Sequence, residues 1–398
     1  MSKCSVCDLS EADGFEILVS GNGKHCIFHV DQKSESEIVV NLDQIDTSAL
    51  FENLQKAPVT VGISMRGSTS SDLVLSKIKF LRGLSFEGVQ FRKRFSIEDG
   101  DFQGEVRFSE CKFMEVTSVE RCTFKGNFYF SDNHVRDDIH FSDSTFEGAT
   151  IIVGNEFQRY VSFRGAGLLE YFWSVSNKFL GYFSAIDARF NREAFFHRCL
   201  FERVNSFDQA TFNRTVSFVD SNFRHAPTFF ETSFNERIDV ERTIFDDLHS
   251  SDAYSSYRSI RERFAKQEMR RSEAQFYFLE QCAATRKLTS SSEKSLAYLY
   301  EISSGYGTSL RRPAIALVGF SMLFLSVYTI LSWGEGLAVK YLLTQVFSPF
   351  GVWTSDNAFV GTVLDTTRAK LIASSQSILT LALLGFEVFA LRWRFKNY

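Results

Sequence analysis

The sequence predicts a mainly β protein: a solenoid of short stacked strands, followed by helices and a pair of membrane spans. Three observations predict it. Stepping eleven residues at a time from Phe80 to Phe245 meets sixteen positions, of which fourteen are Phe and the other two are Val135 and Leu168. A second ladder runs six residues behind the first, through Phe86, Ile97, Phe108, Phe130, Phe163 and Phe207 to Val240. It fails only at Ser174 and Ala185, where the nearby Trp173 and Phe183 suggest a local shift of register. The third observation is a pair of apolar segments, 313–333 and 371–391.

The ladders alternate spacings of five and six, which an α-helix would scatter over rotating faces, and the repeated Gly and Asn also disfavour helix. A short fixed period marks a solenoid, in which each repeat buries its apolar side chains only by stacking on its neighbours. From Phe113 onward the residue two before each first-ladder rung is small or polar, as at Cys111, Cys122, Ser144, Ala166, Ala188 and Cys199. Alternate residues of an extended segment point the same way, so these residues should share the interior with the Phe rings. In this the chain resembles the pentapeptide-repeat family, whose unit puts a small residue two before a central Leu or Phe. The resemblance implies a right-handed quadrilateral β-helix with four short faces per coil. At about 22 residues per coil, the Phe ladder predicts roughly seven or eight coils.

Taken in order, the chain opens on a head, residues 1–36. It has no basic segment followed by an apolar run, so no cleaved signal peptide is expected. Cys4-x-x-Cys7 and Cys26-x-x-His29 have the spacing of a Cys₃His zinc site, with His25 as the alternative fourth ligand. Gly21-Asn22-Gly23 reads as a hairpin turn that brings the two pairs together. Four protein ligands leave no open position, so the zinc would be structural. A frayed terminus beside a buried Cys26 is the other reading. Free thiols and a zinc knuckle place this part in a reducing cytoplasm. Residues 37–79 read as a mixed adaptor covering the first coil, with Asp46-Thr47 capping a short helix and a strand at 59–63.

The solenoid, residues 80–247, carries little chemistry. Between Phe86 and Asp246 there are 25 Asp plus Glu against 19 Lys plus Arg, and the whole chain has a net charge of −4. Some pentapeptide-repeat proteins mimic DNA and bind topoisomerases, but that role needs a strongly acidic face, and no nucleic-acid partner is expected. His134, His140, His197 and His225 are scattered, with no Ser or Asp evidently placed to form a triad. No phosphate-binding loop or dinucleotide fingerprint appears, so an enzyme is not expected.

Residues 250–303 show helical spacing, and a break near Met269-Arg270-Arg271-Ser272 predicts a helical hairpin that collars the last coil. Its basic residues either touch anionic headgroups or are simply solvated. Segments 313–333 and 371–391 are each long enough to cross the hydrocarbon core as a helix. Arg311 and Arg312 flank the first, and Arg392, Arg394 and Lys396 flank the second, so both termini are expected in the cytoplasm. Ser304, Tyr306, Gly307, Ser309, Arg312 and Pro313 resemble the S-x-Y-G-x-S-x-x-R-P junction of bacterial membrane-anchored pentapeptide-repeat proteins. Gly305 and Thr308 depart from the commoner Asp and Arg. That resemblance implies the bacterial inner membrane as the location.

Gly305-Tyr306-Gly307 is not a channel filter, because it precedes the first span instead of re-entering between two. Between the spans, residues 337–346 read as an interfacial helix or as the half-helix of a pore loop. On the second span Ser377, Thr380 and Glu387 share a stripe with Ala373 and Leu384, beside Gln376. A carboxylate inside a span faces a protein interior or a wet cavity. The stripe is therefore a pore or homo-oligomer seam, or else it is helix–helix glue with Glu387 snorkelling. Two functions follow. In one, the solenoid binds or senses an unknown protein partner and the spans permeabilise the membrane, as a toxin-like or phage-exclusion effector would. In the other, the spans only anchor a protein-binding scaffold.

Overall fold

The computed structural model describes residues 17–20, 23–26, 38–44, 50, 54–55, 58–331, 342 and 367–395. The chain divides into two compact units, Met1–Arg263 and Phe264–Tyr398. The first is a parallel β-solenoid of about nine turns. Its strands form four sheets of seven, eight, nine and ten members. Residues 22 apart are paired, as in Phe102↔Phe124, Phe108↔Phe130 and Phe113↔Val135. The eleven-residue step is thus half a coil, and successive rungs of each ladder fall on alternate sheets. Rungs 22 apart stack ring on ring, for example Phe91 on Phe113 at 4.7 Å and Phe201 on Phe223 at 4.6 Å. Such stacked pairs add about 0.5–1.5 kcal/mol each beyond the area they bury.

The five-residue spacing contains a corner. Between Phe86 and Phe91 stands Gly88, and the same left-handed conformation recurs every eleven residues, at Asp99, Glu110, Arg121, Asp132 and onward to Arg242. Most of these are not glycine, although a left-handed L-residue costs about 1–2 kcal/mol. The cost is offset by the pairing that the corner permits.

The solenoid begins earlier than the Phe ladder. Strands Ile63–Arg66, Ser68–Thr69 and Leu73–Ser76 pair with those starting at Leu84, Gln90 and Phe95, and Val59 bridges Phe80. Much of the expected adaptor is therefore coil, which brings the count to nine. Its rungs are Val59, Ile63, Met65, Leu73 and Leu75, which bury as well as Phe but are invisible to a Phe count. Asp46 and Thr47 lie outside the described residues.

The suggested register shift near Ser174 and Ala185 does not occur. Ser174 pairs with Ile152 and Phe196, and it is fully buried, as is Ala185. Phe172 and Phe183, two positions earlier, fill the volume that the small residues leave. Trp173 instead points outward.

Beside the rings runs a polar ladder. Asn133, Asn155 and Asn177 are buried, and each accepts the backbone N–H of the residue 22 positions earlier (2.8–2.9 Å). Each also donates to a carbonyl 25 positions earlier, those of Phe108, Phe130 and Ile152. Ser144 and Ser221 do the same with hydroxyls. Cys111, Cys122 and Cys199 point their thiols at carbonyls, and burial pushes these thiols up to about 12, 12 and 11. They are space-filling donors, inert as nucleophiles.

Helix α1 (Ala253–Lys266) closes the last coil. Its Tyr257 lies edge-on to Phe245 at 6.2 Å and donates to the Asp247 carbonyl at 2.6 Å, while Arg263 donates to the Thr232 carbonyl at 3.0 Å. The second unit contains α2 (Arg270–Lys287), α3 (Ser291–Ser304), α4 (Arg311–Leu331) and α5 (Thr367–Phe395). The break falls at 267–269, with Glu268 left-handed, so Arg270, Arg271 and Ser272 open α2 instead of forming the turn. The collar thus has a third helix, where two were expected. Helices α4 and α5 are long and apolar enough to cross a membrane, over Arg311–Ile330 and Leu371–Arg392.

Candidate functional site: the helix junction, the apolar pair and the outer face of the coils

The junction motif is a tight linkage from α3 into α4. Gly305 ends α3 in the left-handed conformation that glycine tolerates best, and its N–H reaches the Glu301 carbonyl at 2.9 Å. Tyr306 and Gly307 also have positive φ. The buried Ser304 hydroxyl accepts the Gly307 N–H at 3.1 Å and donates to the Tyr300 carbonyl at 2.9 Å. Ser309 accepts the Arg312 N–H at 3.4 Å, in the manner of an N-cap for α4. Pro313 sits in the first turn of α4, where its missing N–H has no intrahelical acceptor to lose.

Tyr306 and Arg312 tie this turn to the other helices. The Tyr306 hydroxyl is 2.5 Å from that of Thr285 on α2, and Arg312 Nη1 donates to the Glu301 carbonyl at 2.7 Å. Glu301 receives a two-pronged contact from Arg286, at 2.8 and 3.2 Å. The Arg286 guanidinium holds the Glu301 carboxyl below its ordinary range. Burial, with the Glu301 charge beside it, pushes the Cys282 thiol up to about 12. All six motif residues therefore have positions that account for the motif as a joint, and none is arranged as a nucleophile with a base.

Between α4 and α5, the Tyr328 hydroxyl donates to Gln376 Oε1 at 2.7 Å, and both side chains are buried. Ala373, Ser377, Thr380 and Leu383 are buried on the same stripe, and the Ser377 hydroxyl donates back to the Ala373 carbonyl at 2.9 Å. Glu387 is half-buried, and Leu384 is exposed. Gln376 and Thr380 thus face α4 within one chain, and Ser377 is buried beside them.

Of the zinc-site residues, Cys4, Cys7 and His29 lie outside the described residues. The hairpin of β1 (Ile17–Ser20) and β2 (Gly23–Cys26) puts Cys26 opposite Ile17 and His25 opposite Leu18. Among the described residues no three His, Cys, Asp or Glu cluster as metal ligands. Residues 337–346 are also outside the description, apart from Leu342.

Sequence reasoning missed the outer face of the ten-stranded sheet. There Arg107, Tyr129, Ile151, Trp173 and Phe195 stand in one column, each paired with the next. Arg107 lies over the Tyr129 ring at 4.3 Å, Trp173 is 6.4 Å from Phe195 and 6.1 Å from Tyr171, and Trp173 is 42% exposed. The column occurs at a period of 22 in the sequence, one residue before the second ladder. The equivalent column on the seven-stranded sheet reads Ser96, Ser118, His140, Ser162, Ser184 and Ser206. One column is aromatic; the other is serine-rich, and its Ser96, Ser118, Ser162 and Ser184 are buried. Ser217, in register with Phe195, lies diagonally beside His197, with Oγ 2.8 Å from Nε2. Ser217 is buried, so its hydroxyl supports the imidazole.

No protein-family model matches the chain, and neither do curated proteins or solved structures.

Proposed function

We propose that the protein is a non-enzymatic solenoid anchored in a membrane by α4 and α5, which offers the aromatic column of its coils to a protein partner. The seam between α4 and α5 carries this reading. Gln376, Ser377 and Thr380, which a pore would turn toward water, are buried, with Gln376 and Thr380 facing α4 and Gln376 bonded to Tyr328. A hairpin that satisfies its own polar groups enters lipid without needing a second copy. Trp173, exposed beside Tyr171 and in one column with the half-buried Tyr129 and Phe195, supports the binding role, since aromatic side chains are enriched at the centres of protein interfaces. Arg311, Arg312, Arg392, Arg394 and Lys396 favour both termini in the cytoplasm of a bacterial inner membrane. The resemblance to membrane-anchored pentapeptide-repeat proteins is part of this proposal. So is a structural zinc on Cys4, Cys7, Cys26 and His29, a donor set that suits a closed tetrahedral site.

Glu387 favours a second reading. A half-buried carboxylate within an apolar stretch is costly, and a homo-oligomer that conducts or permeabilises would use it. Membrane potential separates the two, measured in cells expressing the full chain, a form ending at Ser309, or Glu387→Leu. The anchored reading expects no depolarisation from any of them while the full chain is membrane-bound. Depolarisation by the full chain, abolished by Glu387→Leu, would replace it with the effector.

A further inference from the structure

The second unit contains a cavity of about 770 Å³ that the junction motif borders but does not use. Arg270, Arg271, Arg311 and Arg312 line it, and its lining includes no Asp or Glu. Two of these arginines are already held. Arg270 pairs with Glu273 at 2.7 Å, while Arg312 bonds the Glu301 carbonyl and lies 5.1 Å from the centre of the Phe278 ring. Arg271 and Arg311 are exposed, and neither side chain has a hydrogen bond or ion pair among the described residues. Arg270 and Arg311 are the first residues of α2 and α4, so two helix N-termini add their partial positive charge. With Arg270 neutralised by Glu273, three guanidinium charges remain around one space, and they repel each other unless an anion sits among them. Guanidinium forks match the oxygens of phosphate, and the volume is that of a small-molecule site.

We propose that this cavity binds a phosphate-bearing ligand. Its position points first to the headgroup of an anionic phospholipid. Arg311 begins one apolar helix, and Ala390, also in the lining, lies close to the end of the other. On the anchored reading, on which only the source of the phosphate depends, this is the height of the lipid phosphates. Phe278, Leu310 and Ala274 supply apolar wall for a glycerol backbone.

The test uses the full chain in nanodiscs of digalactosyldiacylglycerol, a bilayer lipid without phosphate, and follows the unfolding midpoint. One series adds phosphatidylglycerol to the bilayer, and the other adds pyrophosphate to the buffer. A midpoint that rises with phosphatidylglycerol alone identifies the lipid source, and one that rises with pyrophosphate identifies a soluble ligand. Either rise should require about tenfold more ligand for each arginine removed in Arg271→Gln and Arg311→Gln. These exposed side chains leave the Glu273 and Glu301 contacts intact. If Gln lowers the unliganded midpoint, Arg271→Lys and Arg311→Lys take its place, and the forked geometry predicts that they too weaken binding. No rise in either series, or an equal rise in the variants, overturns the proposal. Failure of the chain to insert into nanodiscs would instead sink the anchored reading, and the pyrophosphate series in buffer would still decide the cavity.

Discussion

Asn155 shows how much of the solenoid rests on single buried groups. It takes the Asn133 N–H, gives its amide to the Phe130 carbonyl, and passes the pattern to Asn177. Asn155→Leu strands a buried donor and a buried acceptor at once. The expected loss is about 2–6 kcal/mol, since each unsatisfied group costs about 1–3 kcal/mol, and denaturant unfolding would measure it. An unchanged midpoint would mean that the ladder contributes nothing net. Phe146→Asp should be worse, because it puts a carboxylate between the rings of Phe124 and Phe128. A β circular-dichroism signal that survives that change would contradict the stacking.

At the scale of elements, coils and helices meet different demands. Coils approach so closely that a Cβ on Gly126 would meet the backbone of Gly104 and Glu105. Gly126→Val should therefore force neighbouring coils apart and open local hydrogen exchange there before the rest of the solenoid. Uniform protection would argue against the close approach. In the helical unit, Arg286 keeps Glu301 ionised by holding its pKa down. A depressed carboxyl contributes stability that is complete above its ordinary value of 4.5 and is lost as pH falls through the lower, folded value. Acid titration of helical circular dichroism on the full chain in nanodiscs should show a loss below about pH 4.5. Glu301→Gln should flatten that loss and lower stability at neutral pH, since it leaves Arg286 without its ion pair.

For the whole molecule, the expectation is that the two apolar helices govern where the chain resides. The full chain should pellet with membranes and resist carbonate extraction, and the form ending at Ser309 should not. If both remain soluble, α4 and α5 are packing elements of a soluble assembly. The partner should engage the aromatic column around Trp173. Trp173→Ser should weaken capture of a protein partner without disturbing the fold, because Trp173 is exposed while its neighbours Phe172 and Ser174 are the residues that enter the core.

Periodicity was readable because stacking repeats a single environment. Every rung needs an apolar side chain, so Phe80 to Phe245 announce solenoid, period and interior without coordinates. Two apolar stretches were readable for the same reason, since a helix able to cross a membrane needs a set length and composition. Tertiary structure alone decided the matters that depend on what lies 22 or 25 residues away. It carried the coils back to Val59, where Val, Ile, Met and Leu serve as rungs. It kept register at Ser174, because Phe172 fills the space from two positions earlier. It turned Asn133, Asn155 and Asn177 into a buried ladder, and it gathered Arg270 and Arg271 with Arg311 and Arg312 around one cavity. A local pattern reports what one position must be. Only the folded chain brings distant positions into contact, and hydrogen bonds, volume compensation and charge clustering act between such positions.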